Sequence, residues 1–335
     1  MGDWAIILFM PRIFDVGDPE LTRLLAGYAS YKDRVLHSLP SFNPELLQKG
    51  KIHRLANLNE LYHEVKVVFF DSYGVLNLGK QVVPGMPETV AKLKALGKQI
   101  RVLTNNASLT GPSVAQFLNR LGYQFDDSEI VTCGHALRSY FRRHRLEGSN
   151  VFYIGTEEGL QYVWEAHGIP VNRPGKLGKK GLAQVAVLAS NAGLTQEQLG
   201  KLDELIGQGV KVLCLNADIV APQSERQCSE VMGATVLELE KRHGQVVTML
   251  GKPFFSIFEA AMLPLIGYRD QNILHIGDSL YTDVLGGLCA GIKTVLTPSV
   301  LPFFDPHSTD LPGFCQQAGI HPDYYVEKLS DLVFK

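Results

Sequence analysis

Seven short apolar runs, dense in valine, isoleucine, leucine and phenylalanine, recur along the chain from residue 65 onward. They are KVVFFD (66–71), QIRVLTN (99–105), NVFYIG (150–155), QVAVLAS (184–190), VKVLCLN (210–216), NILHIGD (272–278) and KTVLT (293–297). A run that is apolar throughout, not at alternate positions, predicts a strand buried on both faces, as in a parallel sheet. Between them lie stretches with apolar residues three and four apart, such as PETVAKLKALG (87–97), TQEQLGKLDELIGQG (195–209) and PFFSIFEAAMLPLIG (253–267), which predict helices. Strands alternating with helices give right-handed crossovers and an α/β fold with Rossmann-like, doubly wound parallel sheets. Before residue 65 the pattern differs. PELTRLLAGYASYKDRVLHSL (19–39) is amphipathic and helical, Pro40 and Pro44 interrupt it, and ELLQKGKIHRLANLNELYHEV (45–65) resumes a helical pattern. The start, MGDWAIILFMPRIF, holds an apolar run of about seven residues, too short to span a bilayer and without a basic leader. It is expected to be a buried strand or a surface-packed segment.

At 335 residues the chain is long enough for two domains with ample core. A net charge of -2 argues against nucleic acid or an anionic membrane as a partner held by bulk electrostatics, so any anion site must be local. The five cysteines are widely spread, with no Cys-x-x-Cys pair, which favours neither a disulfide framework nor structural zinc and fits a reducing, cytoplasmic compartment. The apolar face of the N-terminal helices either packs on the core or joins two copies in a homodimer. RPGKLGKKG (173–181) is read as a solvated turn, RSYFRRHR (138–145) as a basic surface face, His275 as a core histidine, and Cys133 with His135 as packing residues.

In an open parallel sheet, ligands bind outside the carboxyl ends of the strands, at the switch point. Three runs end there in polar groups: Asp71; Thr104, Asn105 and Asn106; and Asp278, with Asp283 soon after. A single such aspartate is commonly a helix cap. Three endings in one sheet, with Lys252 opening a helix at GKP, instead compose a chemistry. Aspartate can attack phosphorus and divide one hard displacement into two. Paired carboxylates suit Mg²⁺, a hard cation that prefers oxygen. Thr104 and Asn105 can hydrogen-bond phosphoryl oxygens, and Lys252 supplies positive charge.

The ordered motifs FFDSYGVL, VLTNNAS, GKPFFSIF and HIGDSLYTDVLGG resemble those of the haloacid dehalogenase superfamily. VFYIGTEEGLQYVWEAHGI, VAVLASNAGLTQEQL and VKVLCLNADIVAP resemble the α/β cap of its NagD-like, class IIA branch, whose members include phosphatases of small phosphate esters. The likeness covers roughly residues 55–335. It implies a helical N-terminal extension (1–64), a core domain (65–134 and 230–335) and an inserted cap (135–229) that closes as a lid. It further implies that Asp71 is the nucleophile and, with Asp278 and the Tyr73 carbonyl, a magnesium ligand. Asp283 would belong to the same metal site, steadying Lys252 or a coordinated water. Thr104, Asn105 and Lys252 would hold the phosphoryl group, and Asn216 and Asp218 would face the substrate from the cap. Ala217 stands where that loop usually has proline, and ERQCSEVMGA replaces its usual glycine-rich continuation.

One departure bears on the chemistry. Phosphatases of this superfamily carry an aspartate two residues after the nucleophile, as general acid and base, where this chain has Tyr73. A phenol, with an ordinary pKa of about 10, is a weak base near neutrality. The resemblance extends to an uncharacterised class IIA subgroup with an aromatic residue in that place. The function expected is a Mg²⁺-dependent phosphatase acting on small phosphorylated metabolites with good leaving groups. The alternatives are a phosphate-binding regulatory protein of weak or lost turnover and, behind it, a 2-haloacid dehalogenase.

Overall fold

A computed structural model describes residues 11–15, 17–39, 41–48, 50–172, 182–224, 226–265, 267, 272–298 and 310–332. The apolar start and the basic loop 173–181, both interpreted above, lie outside the described residues.

All seven apolar runs form strands, and they sort into two sheets. Across the larger, seven-stranded sheet the order is His53–Arg54, Tyr324–Tyr325, Lys293–Leu296, Ile273–Gly277, Val67–Asp71, Gln99–Thr104 and Ile130–Thr132. Every pairing in it is parallel. The strand Val67–Asp71 is buried at every position, and its side chains divide by parity. Val67 and Phe69 pack toward Leu137, Phe258 and Ile273, whereas Val68 and Phe70 pack toward Met86, Val90 and Leu118. Two apolar clusters on opposite faces are what a doubly wound sheet requires, and they explain why the run has no polar alternation. The order in which strands are added reverses between Val67–Asp71 and Ile273–Gly277, so their carboxyl ends open on the crevice where ligands bind in such sheets.

The smaller sheet, also parallel, runs Val247–Met249, Lys211–Cys214, Val185–Leu188, Asn150–Ile154 and Ile169–Pro170. Its edge strand Val247–Met249 lies beyond residue 229, where the cap was expected to end. A third, antiparallel sheet joins Val220–Pro222, Gln227–Glu230 and Ile13–Asp15.

The N-terminal region is helical only in its first half. Asp18 caps Pro19–Leu25 by accepting the Glu20 N–H, and Ala29–Ser38 follows after one tight turn. The second predicted helix does not form. Two 3₁₀ turns, Pro44–Gln48 and Leu58–Leu61, flank the strand His53–Arg54. Gly50 adopts a φ of 88°, which stops helical propagation. The edge strand at Tyr324–Tyr325 then offers main-chain partners, taken by His53 N–H to the Asp323 carbonyl at 3.0 Å and Leu55 N–H to the Tyr325 carbonyl at 2.9 Å. Those long-range bonds override the local helical periodicity. No helix among the described residues is long and apolar enough to cross a membrane.

Candidate active site

The first strand delivers Asp71 and then turns at once. Leu76 N–H and Asn77 N–H both reach back to the Ser72 carbonyl, and the Ser72 hydroxyl donates to Asn77 Oδ1 at 2.8 Å. Gly74 is required in this turn twice over. Its φ of 92° is left-handed, and a Cβ there would fall on the Asp278 carboxylate. Close approach of the turn to the fourth motif is therefore encoded by the missing side chain. Asp71 itself is buried, with Oδ1 accepting the Ser72 N–H at 2.7 Å and the Lys252 ammonium at 2.5 Å. Both bonds fall on Oδ1, which leaves Oδ2 as the oxygen able to attack.

Lys252 is buried and bridges two carboxylates, donating also to Asp283 Oδ1 at 2.7 Å. A π-helical turn, Leu280–Val284, follows the third strand and swings Asp283 back beneath it. Asp283 accepts from Ser279 N–H at 3.1 Å and bonds His275 Nε2 at 3.0 Å. Gly277 makes room for it, since any Cβ there would overlap the Asp283 carboxyl. Burial raises the Asp283 carboxyl, but Lys252 and His275 outweigh it and hold the group at about 2. Burial lowers the Lys252 ammonium, yet Asp283, Asp71 and Asp218 together push it above its ordinary value. Lys252 is thus a buried ammonium bridging the Asp71 and Asp283 carboxyl groups.

Thr104 and Asn105 end the neighbouring strand, but the structure separates their roles. The Thr104 hydroxyl accepts the Asn106 N–H at 3.2 Å, which leaves its own proton to donate into the cleft. The Asn105 amide is committed elsewhere. Its Oδ1 accepts the Lys252 N–H at 2.7 Å, and its Nδ2 donates to the Lys252 carbonyl at 3.0 Å and to Asp218 Oδ1 at 2.8 Å. Asn105, expected to hydrogen-bond phosphoryl oxygens, thus spends its side chain on gripping Lys252 by its main chain and tying it to the loop of the smaller sheet. Asn216 shapes that loop, its Oδ1 accepting the Asp218 N–H at 2.9 Å. Burial, against the pull of Lys252 and Asn105, pushes the Asp218 carboxyl up to about 6.

Asp71, Thr104, Asn105, Lys252 and Asp278 converge on one cleft of about 190 Å³, which Tyr73, Asn216 and Asp218 also line and Asp283 does not. The Tyr73 ring is half-buried, and burial raises its phenol above the ordinary value. Three further lining residues, Tyr28, Ser108 and Gln223, were not anticipated. Ser108 closes the VLTNNAS motif, though no role was read for it, Gln223 is a polar loop residue with no distinguishing pattern, and Tyr28 comes from the N-terminal helices, remote in sequence from every motif. His275 is a core residue as expected, with the added task of bonding Asp283. Cys133 and His135 form no dyad, since the thiol points to the Asn105 carbonyl and the His135 Nδ1 to Thr132. In the basic face, Arg143 pairs with Glu259.

Asp71, Asp278 and Asp283 each offer a carboxylate oxygen within 4.8 Å of the others, all buried. Three carboxylates face one ammonium here. Burial first, then repulsion from Asp283 and Asp278, raises the Asp71 carboxyl despite Lys252. An all-oxygen donor set with excess buried negative charge fits a hard divalent cation.

Comparison with known proteins places this geometry. A haloacid dehalogenase-like hydrolase model matches residues 68–170, and a second HAD-hydrolase-like model matches 249–332. Glycerol-3-phosphate phosphatase of Homo sapiens is 26% identical over 295 residues, covering 82% of this chain and 91% of that protein. NagD from E. coli K-12 superimposes with a TM-score of 0.65 at 21% identity, covering 80% of this chain and 98% of that one. A glycerol phosphate phosphatase from Mycobacterium tuberculosis, solved in complex with magnesium, gives a TM-score of 0.66 at 21% identity over 81% of this chain and 78% of that one. The two family models include the strand ends that carry Asp71 and Asp278. By the two family models that together span most of its described motifs, this chain belongs to the haloacid dehalogenase-like hydrolases, with a fold like that of NagD.

Proposed function

We propose that the protein is a Mg²⁺-dependent phosphatase of small phosphorylated metabolites, working through an aspartyl-phosphate on Asp71 and restricted to good leaving groups. The observation that carries this is the buried ammonium of Lys252 held between Asp71 and Asp283, with the Thr104 hydroxyl beside it. Asp71, Asp278 and the Tyr73 carbonyl would hold the cation, with Asp283 adjoining. Bound there, it would neutralise phosphoryl and carboxylate charge that Lys252 alone leaves unbalanced. The relatives named above support the reading: one is a glycerol-3-phosphate phosphatase and another was solved with magnesium.

The steps follow from the chain's own groups. Asp71 Oδ2 attacks phosphorus while Lys252 and the Thr104 hydroxyl bind the oxygens on which charge develops. The bond from phosphorus to the leaving oxygen breaks, and that oxygen departs with the electron pair. Water then attacks the phosphorus of the aspartyl-phosphate, the bond to Asp71 breaks, inorganic phosphate leaves, and the proton released passes to solvent. In the second step Tyr73 does not replace a carboxylate, since a phenol that keeps its proton near neutrality cannot serve as base for water, and in the first it is a far weaker acid than a carboxyl. A p-nitrophenolate departs without a proton, whereas a sugar alkoxide needs one. The same substitution also favours a second reading, a phosphate-binding regulator without turnover. Halide displacement, by contrast, has no use for a cluster of three carboxylates.

The test is a phosphatase screen across aryl, acyl, sugar and nucleotide phosphates, with and without Mg²⁺. We expect release of phosphate from aryl and acyl esters only with the metal, abolished in Asp71→Asn with the fold retained. Tight phosphate binding without release from any ester would select the regulator.

A further inference from the structure

The N-terminal segment reaches into the cleft, and the inference drawn from this rests on the phosphoryl site proposed above. Tyr28 and Tyr31 sit on the helices Ala26–Tyr28 and Ala29–Ser38, both almost wholly buried. The Tyr28 oxygen accepts the Ile219 N–H at 2.8 Å and the Val220 N–H at 3.4 Å. The Tyr31 hydroxyl donates to the Ala217 carbonyl. These three main-chain groups belong to the loop that carries Asn216 and Asp218, and buried main-chain groups need such partners. The Tyr31 ring stands edge-on to Tyr28, with centroids 5.3 Å apart, and to Phe254, 6.0 Å away and two residues past Lys252. Tyr28 also forms part of the cleft wall.

The segment is anchored on both sides of that loop. Toward the smaller sheet, Arg34 pairs with Glu240 at 2.7 Å and donates to the Val247 carbonyl at 3.1 Å. Arg12 binds Glu230, and Ile13–Asp15 pairs with Gln227–Glu230. Toward the larger sheet, Lys32 donates to the carbonyls of Ala318 and Gly319 at 3.2 and 3.0 Å, and the Leu47 carbonyl accepts the His321 N–H at 2.7 Å. A wedge braced against both bodies fixes what lies between them.

We infer that Tyr28 and Tyr31 are positioning residues of the site: they hold the loop 216–220 over Asp71, so that the loop and the Tyr28 ring form the compartment for the leaving group. The phosphoryl oxygens, by contrast, meet groups of the larger sheet and of the Lys252 loop. The two hydroxyls therefore matter for the organic part of a ligand and not for phosphate alone.

The experiment compares the full-length wild type with the double variant Tyr28→Phe, Tyr31→Phe, which keeps both rings and removes both hydroxyls. Binding of inorganic phosphate and of phenylphosphonate is measured by calorimetry in Mg²⁺, and exchange of the Ile219 and Val220 amides by hydrogen–deuterium exchange. We expect phenylphosphonate to bind at least tenfold more weakly, inorganic phosphate to stay within about twofold, and both amides to exchange faster. Should the double variant fail to fold, Tyr28→Phe alone carries the same comparison. Equal loss for both ligands, or no loss for either, overturns the proposal, because a merely structural role predicts one or the other. Because binding needs no turnover, a wild type that binds phenylphosphonate yet hydrolyses no ester defeats the phosphatase reading, while the selective loss still supports the tyrosines' role. A wild type that binds neither ligand overturns both.

Discussion

In the proposed mechanism, Tyr73 is the residue on which the chemistry turns. If it marks the loss of a general acid, rates in the wild type should depend steeply on the leaving group's own pKa. Installing the acid as Tyr73→Asp should raise kcat on alkyl phosphates by roughly 10²-fold, with a smaller gain on aryl phosphates. Metal affinity should change little, since that position would offer only its carbonyl. Steady-state kinetics of Tyr73→Asp and Tyr73→Phe on paired alkyl and aryl esters check this. Activity lost in Tyr73→Phe without any gain in Tyr73→Asp would show the phenol to be a working group. The residue scale also exposes a role that sequence reasoning did not anticipate. Asn105, expected at the phosphoryl group, gives both amide hydrogens and a lone pair of its side-chain oxygen to Lys252 and Asp218. Only tertiary contacts could show that.

Among elements, the helix Ala29–Ser38 does more than fill space. Arg34 and Glu240 form a near-buried pair, 8% and 11% exposed, that joins it to the helix Met232–His243. Removing one partner strands the other charge away from water, so Arg34→Ala should cost roughly 3 kcal/mol in urea unfolding. Glu240→Gln, which keeps an acceptor for the Arg34 fork, should cost less. If the two variants match the wild type, the helix is held by its apolar face alone. A second latch joins the loops of the two sheets. Glu158 accepts the Thr110 N–H at 2.8 Å and its hydroxyl at 2.9 Å, while the Thr156 hydroxyl donates to the Ser108 carbonyl at 2.6 Å. Any opening of the smaller sheet as a lid, expected from the family resemblance, would have to break these bonds as well as those to the N-terminal segment.

For the molecule as a whole, binding of Mg²⁺ at buried carboxylates should couple to folding by mass action. At a hundred times the dissociation constant the stabilisation is about 2.7 kcal/mol. Thermal unfolding in EDTA and in millimolar Mg²⁺ measures it, and Asp278→Asn should abolish the difference. A Tm indifferent to Mg²⁺ in both proteins would rule the site out. We propose that the working unit divides near residue 250, not 229, because Val247–Met249 completes the smaller sheet by pairing with Lys211–Cys214.

The α/β class and the polar groups gathered at the strand ends were legible in the chain because both follow from local rules. Val67 to Phe70 must be buried on two faces, so the run is apolar throughout and ends where the sheet ends, at Asp71. Lys252 and Asp278 are likewise visible as polar residues at the edges of apolar elements. What the chain could not disclose depends on contacts between distant segments. The stretch 45–65 carries helical spacing, yet the free main-chain groups of Tyr324–Tyr325 draw part of it into a strand. Val247–Met249 is too short for its periodicity to announce which sheet it joins. Tyr28 lies in an amphipathic helix whose pattern predicts burial but not against what. Its place beside Asp218, 190 positions away, is decided by where two helices land when both sheets have formed.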